Sequence, residues 1–160
     1  MTTRHHELHL ASPDETCRCA QALAPFLHAG DVILLGGDLG AGKTHFARCL
    51  IQASLPAPED VPSPTYTLVQ TYTSKQGPEI WHADLYRLGS AEEIEETGLS
   101  EAFSDAICLV EWPDRLGPLT PGTALCLTLV ATDNDIGRRM ILAWTDPRWD
   151  KTIRDALLHE

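Results

Sequence analysis

The chain has 160 residues, 43% of them hydrophobic and 22% charged, a length and balance that suit one soluble globular domain with a substantial core. A formal net charge of −11, with only 12 Lys and Arg, argues against a protein that grips nucleic acid through its phosphates unaided. If RNA is involved, a partner is expected to hold it, and the excess charge otherwise argues for solubility or for a basic protein partner.

Apolar runs are too short to span a membrane and no signal-peptide core follows the first residues, so the expected location is the cytoplasm. Five cysteines, an odd number without a paired C-x-x-C framework, fit a reducing compartment. Cys49 and Cys108 lie in apolar stretches and are expected as small core residues. Cys17-Arg18-Cys19 is a candidate for part of a metal or redox site.

Residues 6–10, His-Glu-Leu-His-Leu, alternate like a strand with one buried face. Ser12-Pro13-Asp14-Glu15 starts a helix: Ser12 is the N-cap, Pro13 fits the first turn and Glu15 completes a capping box. The helix is expected to run to about Leu27, before Gly30. This preamble either closes a sheet edge or packs near a bound base.

Residues 31–36, Asp-Val-Ile-Leu-Leu-Gly, read as a buried parallel strand, and residues 44–52 carry apolar side chains at helical spacing. Between them stands Gly37-Asp38-Leu39-Gly40-Ala41-Gly42-Lys43-Thr44, which fits the phosphate-binding G-x-x-x-x-G-K-S/T pattern. Glycines let successive backbone N–H groups converge on phosphate oxygens, and the helix start adds unpaired N–H groups and the positive end of its dipole. Leu39, Gly40, Ala41, Gly42, Lys43 and Thr44 are therefore the expected nucleotide contacts, with Lys43 on the β- and γ-phosphates and the Thr44 hydroxyl on Mg²⁺.

Residues 56–66 contain four prolines and form a stiffened loop. Ser63, Thr65 and Tyr66 carry hydroxyls able to sense a γ-phosphate, its Mg²⁺ or water, unless the loop is a plain surface connection. Residues 67–72 and 79–84 read as two strands joined by a turn at 74–78, so the sheet is expected to be mixed. Ser90-Ala91-Glu92-Glu93 is a second capping box, opening a short acidic helix that ends at Gly98, with a further turn to Phe103. Residues 106–110 form the most apolar later run and are expected as a central parallel strand. Residues 123–130 and 139–143 read as a closing pair of strands, and 149–159 as a terminal helix. The whole, 1–160, reads as a single P-loop ATPase domain of α/β class, its sheet mostly parallel at the core with antiparallel additions and flanked by helices.

A P-loop ATPase needs an acidic residue at the end of a neighbouring buried strand. Glu111, delivered by the 106–110 run, is the stronger candidate; Asp84, in His82-Ala83-Asp84-Leu85-Tyr86-Arg87, is able to orient attacking water, with Arg87 pairing to it or to phosphate. No Asn-Lys-x-Asp stretch is present to read guanine, which favours ATP. Arg138 and Arg139 are candidates for stacking on or pairing with the nucleotide, or are solvated arginines. Trp112 is a reporter of nucleotide state or core.

With Ser63-Pro64-Thr65-Tyr66-Thr67-Leu68 and Leu109-Val110-Glu111-Trp112-Pro113 added to the glycine loop and the His82–Arg87 cluster, the chain resembles the TsaE (YjeE) family over roughly residues 13–138. That family comprises the small ATPases of bacterial tRNA threonylcarbamoyl-adenosine synthesis. The resemblance implies ATP on the loop, Mg²⁺ held by Thr44 and Glu111, and ADP as product. It further implies action with the TsaB–TsaD pair, in which TsaD modifies adenosine 37 of tRNAs reading A-starting codons, hydrolysis resetting the complex between turnovers and tRNA being met only through it. The catalytic set expected is Lys43, Asp84, Glu111 and Thr65, with Arg138 toward the nucleotide, in a monomer that hydrolyses slowly alone. His45 departs from the family pattern, where threonine is expected. A small-molecule P-loop kinase and a nucleotide-gated binding module with negligible hydrolysis are the alternatives.

Overall fold

The computed structural model describes residues 2–38, 40–64, 68–134 and 136–158. Its strands are β1 (Arg4–Leu10), β2 (Val32–Gly36), β3 (Val69–Thr73), β4 (Glu79–Asp84), β5 (Ile107–Glu111), β6 (Leu125–Ala131) and β7 (Arg138–Trp144). They form one sheet in the order β1-β7-β6-β2-β5-β4-β3. β6, β2, β5 and β4 are mutually parallel, whereas β7 and β1 on one side and β3 on the other pair antiparallel. The mixed sheet is as expected, with β5 central between β2 and β4. The 123–130 strand is more than half of a closing hairpin: as β6 it pairs with β7 on one side and lies parallel to β2 on the other.

The helices are α1 (Pro13–Leu23), α2 (Lys43–Ser54), α3 (Ala91–Glu96), α4 (Leu99–Ala102) and α5 (Arg148–Leu157). Both capping serines act as expected: Ser12 Oγ accepts the Glu15 N–H at 3.4 Å, and Ser90 Oγ accepts the Glu93 N–H at 3.3 Å. The first helix stops at Leu23 and tightens into a 3₁₀ turn over Ala24–Phe26, because Pro25 has no N–H to continue the α-helical ladder.

Because side chains alternate along a strand, β2 and β5 feed both faces of the sheet. Ile33, Leu35, Ile107 and Leu109 pack with Leu23, Phe46, Leu50, Ile51, Trp149 and Ile153 beneath α1, α2 and α5. Val32, Leu34, Cys108 and Val110 pack with Leu85, Ile94, Leu99 and Leu116 beneath α3, α4 and the 3₁₀ segment Pro113–Leu119. β1 takes the sheet edge, and Arg139 of β7 pairs with its Glu7 at 2.9 Å. Arg139 is thus committed to joining the edge strand. The C-terminal helix is tied to the start of β2 by Arg148, whose Nε donates to Asp31 Oδ1 at 2.7 Å.

Cys108 is a buried core residue as expected, but Cys49 is not a free one: it is joined to Cys17 by a disulfide linking α1 and α2. The run of apolar residues around Cys49 carried no sign of this, because its partner sits 32 residues earlier on another helix. Burial pushes the Cys108 thiol up to about 12, whereas Cys126 is exposed on β6. Native protein treated with iodoacetamide at neutral pH should therefore label Cys126 and leave Cys108 unmodified. Burial raises the Cys126 thiol as well, but its exposure on β6 gives the reagent access that the buried Cys108 lacks. Peptide mass spectrometry reads this, and denaturation should bring Cys108 to the rate of an ordinary thiol.

Among the described residues, no helix is long and apolar enough to cross a membrane.

Candidate nucleotide site

The glycine loop leaves the C-terminal end of β2 and turns into α2, whose N-terminus follows Gly42. Gly37, Gly40 and Gly42 have φ of 126°, 79° and 109°, values that side chains with a Cβ rarely adopt. Gly37 has a second requirement: a Cβ there would lie 2.4 Å from the Leu129 carbonyl oxygen on β6. Gly37→Ala should cost at least ~2 kcal/mol through combined strain and overlap, a fall in Tm of roughly 4–8 °C by thermal denaturation. Among the described residues, Phe46 is the first of α2 to bond back, its N–H donating to the Gly42 carbonyl at 2.9 Å. The N–H groups before it open the helix without intrahelical acceptors and give the loop its anion-seeking end.

Arg138 braces this loop from behind. Its Nε donates to the Ala41 carbonyl at 2.8 Å and an Nη to the Gly40 carbonyl at 3.2 Å. Fixing those carbonyl ends orients the peptide units of the loop. Arg138 thus meets the loop backbone, a role that sequence spacing did not suggest. Leu39, expected among the nucleotide contacts, and Thr65, expected among the catalytic residues, lie outside the described residues.

Lys43 is buried, with its ammonium donating to the Gly37 carbonyl and lying 3.5 Å from the centroid of the Trp112 ring. Trp112 itself packs against Tyr86 in a tilted arrangement, with ring centroids 4.9 Å apart and the planes at 49°. Trp112 therefore covers the lysine, which makes it part of the site wall. Burial lowers the Lys43 pKa, while Glu111, Asp84, Asp38 and Asp114 pull it the other way.

Asp84 and Glu111 are brought together by register. They are paired neighbours at the ends of the parallel strands β4 and β5, and Leu35 of β2 lies beside Glu111. Both carboxylates are buried. Glu111 Oε1 accepts the Thr44 hydroxyl at 2.8 Å, which joins the end of β5 to the first turn of α2. Asp84 Oδ1 accepts the Tyr86 N–H at 3.0 Å. The proline-rich loop returns here too: the Leu68 N–H donates to the Pro64 carbonyl, and the Leu68 carbonyl accepts the Asp84 N–H at 2.8 Å. Pro64 and Leu68 are thereby tied to each other, and Leu68 to Asp84. Arg87 is exposed.

One residue of the site went unassigned from sequence. His82 is fully buried, its Nε2 lies 2.7 Å from Glu111 Oε2, and its Nδ1 has no hydrogen-bond partner among the described residues. The signal for it was present as alternation: Ile80, His82 and Asp84 share one face of β4, the face that Glu111 shares on β5. Knowing that β4 and β5 were neighbours in this register was needed to use it.

Lys43, Thr44, Asp84, Glu111 and Trp112 line one cleft over the loop, and Pro13, Thr16, Ala41, Ile136 and Arg138 line a second. Gly42 and His45 border both, so the two clefts are contiguous. The start of α1 accordingly reaches the loop, while β1 closes the sheet edge. Oxygen donors from Thr44 and Glu111, with one buried ammonium against two buried carboxylates, fit a small hard divalent cation such as Mg²⁺.

These features define the class: a mixed α/β protein with a P-loop-type strand–loop–helix at the centre of its sheet and carboxylates on the adjoining strands. Residues 10–141 match the family model described as TsaE, threonylcarbamoyl adenosine biosynthesis protein, and the chain belongs to the TsaE family. It is 41% identical over 126 residues to the tRNA threonylcarbamoyladenosine biosynthesis protein TsaE of Rickettsia bellii, covering 79% of this chain and 87% of that one. The Bacillus subtilis protein of the same name is 36% identical over 125 residues, covering 78% and 77% of the two chains. The crystal structure of Bacillus subtilis YdiB superimposes with a TM-score of 0.79 at 25% identity, over 99% of this chain and 98% of that one.

Proposed function

We propose that this protein binds and hydrolyses ATP in the threonylcarbamoyl modification of adenosine 37 of tRNAs reading A-starting codons. It acts with the TsaB–TsaD pair, and hydrolysis resets that complex between turnovers. Membership of the TsaE family supports the pathway. The observation that carries the chemistry is the Thr44–Glu111 contact, a hydroxyl and a carboxylate 2.8 Å apart at the mouth of the glycine loop.

In this reading the N–H groups opening α2 bind the phosphate oxygens, and Lys43 turns from the loop carbonyls and Trp112 to the β- and γ-phosphates. Thr44 and Glu111 hold Mg²⁺, which supplies neutralisation of phosphate charge. His82 holds Glu111 in place from beneath. Asp84 orients the attacking water and accepts its proton, and Thr65, from the loop anchored at Pro64 and Leu68, senses the γ-phosphate. The apolar cleft of Pro13, Thr16 and Ile136 receives the base. Arg138 acts on the nucleotide through the loop that it braces.

A loop that a partner must order leaves the isolated protein a slow hydrolase. The net charge of −11 suits a monomer that meets tRNA only through its partners, in the cytoplasm. Measuring phosphate release by the pure protein, with and without TsaB–TsaD, tests the reading. Stimulation by the pair supports it. Rapid turnover unchanged by the pair overturns the resetting role, and a phosphorylated small molecule in place of free phosphate identifies a kinase. Tight ATP binding without any phosphate release leaves a nucleotide-gated module.

A further inference from the structure

The disulfide between α1 and α2 has a third member. Cys17 Sγ, Cys49 Sγ and a ring nitrogen of His45 all lie within 4.8 Å of one another, with Nε2 3.9 Å from the Cys49 sulfur. His45 and Cys49 are four residues apart on α2 and share one face of it, which is the spacing at which a helix presents two ligands to one ion. Cys17 faces them from α1, with its Cα 5.4 Å from that of Cys49. His45 and Cys17 are half-buried and Cys49 buried, so the cluster is packed into the fold yet reachable from solvent.

We propose that, with the disulfide reduced, Cys17, Cys49 and His45 form a Cys₂His site for zinc or a similarly thiophilic divalent ion, open to solvent at its fourth position. Zn–S and Zn–N bonds of about 2.3 and 2.1 Å in a tetrahedron place ligand atoms roughly 3.4–3.8 Å apart. The His45–Cys49 separation is already close to this, and the two sulfurs need only move apart once their bond is broken. Thiolate and imidazole ligands together select zinc over Mg²⁺, so the ion for this site is distinct from the one for Thr44 and Glu111.

The disulfide is the metal-free, oxidised form of the same cluster. An external dithiol supplies two electrons and two protons: the Cys17–Cys49 bond breaks, two thiols form and the dithiol leaves as its own disulfide. Zinc then binds as the two thiol protons pass to solvent, and His45 exchanges its 3.0 Å contact with the Pro13 carbonyl for the ion. Either form cross-links α1 to the helix that begins at Lys43 and Thr44. The metal form additionally pins His45, which borders both clefts over the glycine loop.

The test uses the full chain, reduced and freed of metal, titrated with Co²⁺ and with Zn²⁺ against a chromophoric chelator. The expected result is about one ion per chain, with a thiolate-to-cobalt charge-transfer band that zinc abolishes. Cys17→Ser and Cys49→Ser should each remove the band, His45→Ala should weaken binding by more than ~10-fold, and the oxidised chain should show neither. His5, His6 and His9 on β1 are a separate thiol-free source of weak binding, which gives no such band. Absence of the band in reduced, folded wild-type protein overturns the proposal and leaves a disulfide alone. So does a band that survives both serine variants. Circular dichroism of each variant confirms that a lost band is not lost folding.

Discussion

Glu111→Gln should lower partner-stimulated ATP turnover by about 10²–10³-fold while leaving nucleotide binding within a few-fold of wild type. The substitution keeps the volume and one carbonyl oxygen for the Thr44 hydroxyl but removes the charge that a divalent cation needs. The effect is expected in turnover more than in affinity, because in the proposed arrangement the loop N–H groups and Lys43 hold the phosphates independently of Glu111. The variant also replaces the charged partner of His82 Nε2 by a neutral amide inside the sheet, where His82 is fully buried. A second measurement separates the two consequences. If the loss were one of folding, Tm would fall in parallel with activity. If the carboxylate acts on the phosphates through Mg²⁺, the variant should bind ATP at near-normal affinity yet respond little to Mg²⁺. Turnover at the wild-type rate would remove Glu111 from the chemistry and shift attention to Asp84.

Lys43→Met should weaken ATP binding by more than ~100-fold, since it removes the sole mobile cation proposed for the β- and γ-phosphates. It removes both the buried ammonium's desolvation cost and its attraction to the buried Asp84 and Glu111, so stability should change far less than binding, and equilibrium dialysis alongside denaturant unfolding would separate the two. The pH dependence of the unmodified protein carries the same information. Burial holds the Lys43 pKa below its ordinary 10.5. The unfolded chain therefore keeps this proton to higher pH than the native one does. The cost of burying the ammonium is fully present below the native value, and stability from this group rises as pH climbs from there toward 10.5. Nucleotide affinity, which needs the charged form, should fall over that same window. An affinity flat up to 10.5 would show that Lys43 is not the phosphate cation.

Much of the site was legible because its parts are local. The glycine loop spans eight consecutive residues, Ser12 and Ser90 each cap a helix within three residues, and the apolar run into Glu111 marks a buried strand by composition alone. The choice between Asp84 and Glu111 was narrowed by the same logic, since a carboxylate after five apolar residues has to emerge at a strand end. The end of α1 was misjudged by a few residues because Pro25 is tolerated inside a compact turn that the hydrophobic spacing does not distinguish from helix.

What sequence by itself determined was the chemistry on offer: a glycine loop with the phosphate-binding pattern, two carboxylates at strand ends and the chain's family. The tertiary structure decided which groups meet. Arg138 comes from 97 residues away to brace the Ala41 carbonyl, Arg148 from 117 to pair with Asp31, and His82 crosses 29 to support Glu111. It decided too that β6 lies beside β2 and that Cys17 meets Cys49. Backbone propensity and capping act over a few residues and are written in the local order of side chains. Strand order and helix packing are chosen by burial of the whole apolar surface at once, and only that choice brings distant polar groups within reach of one another.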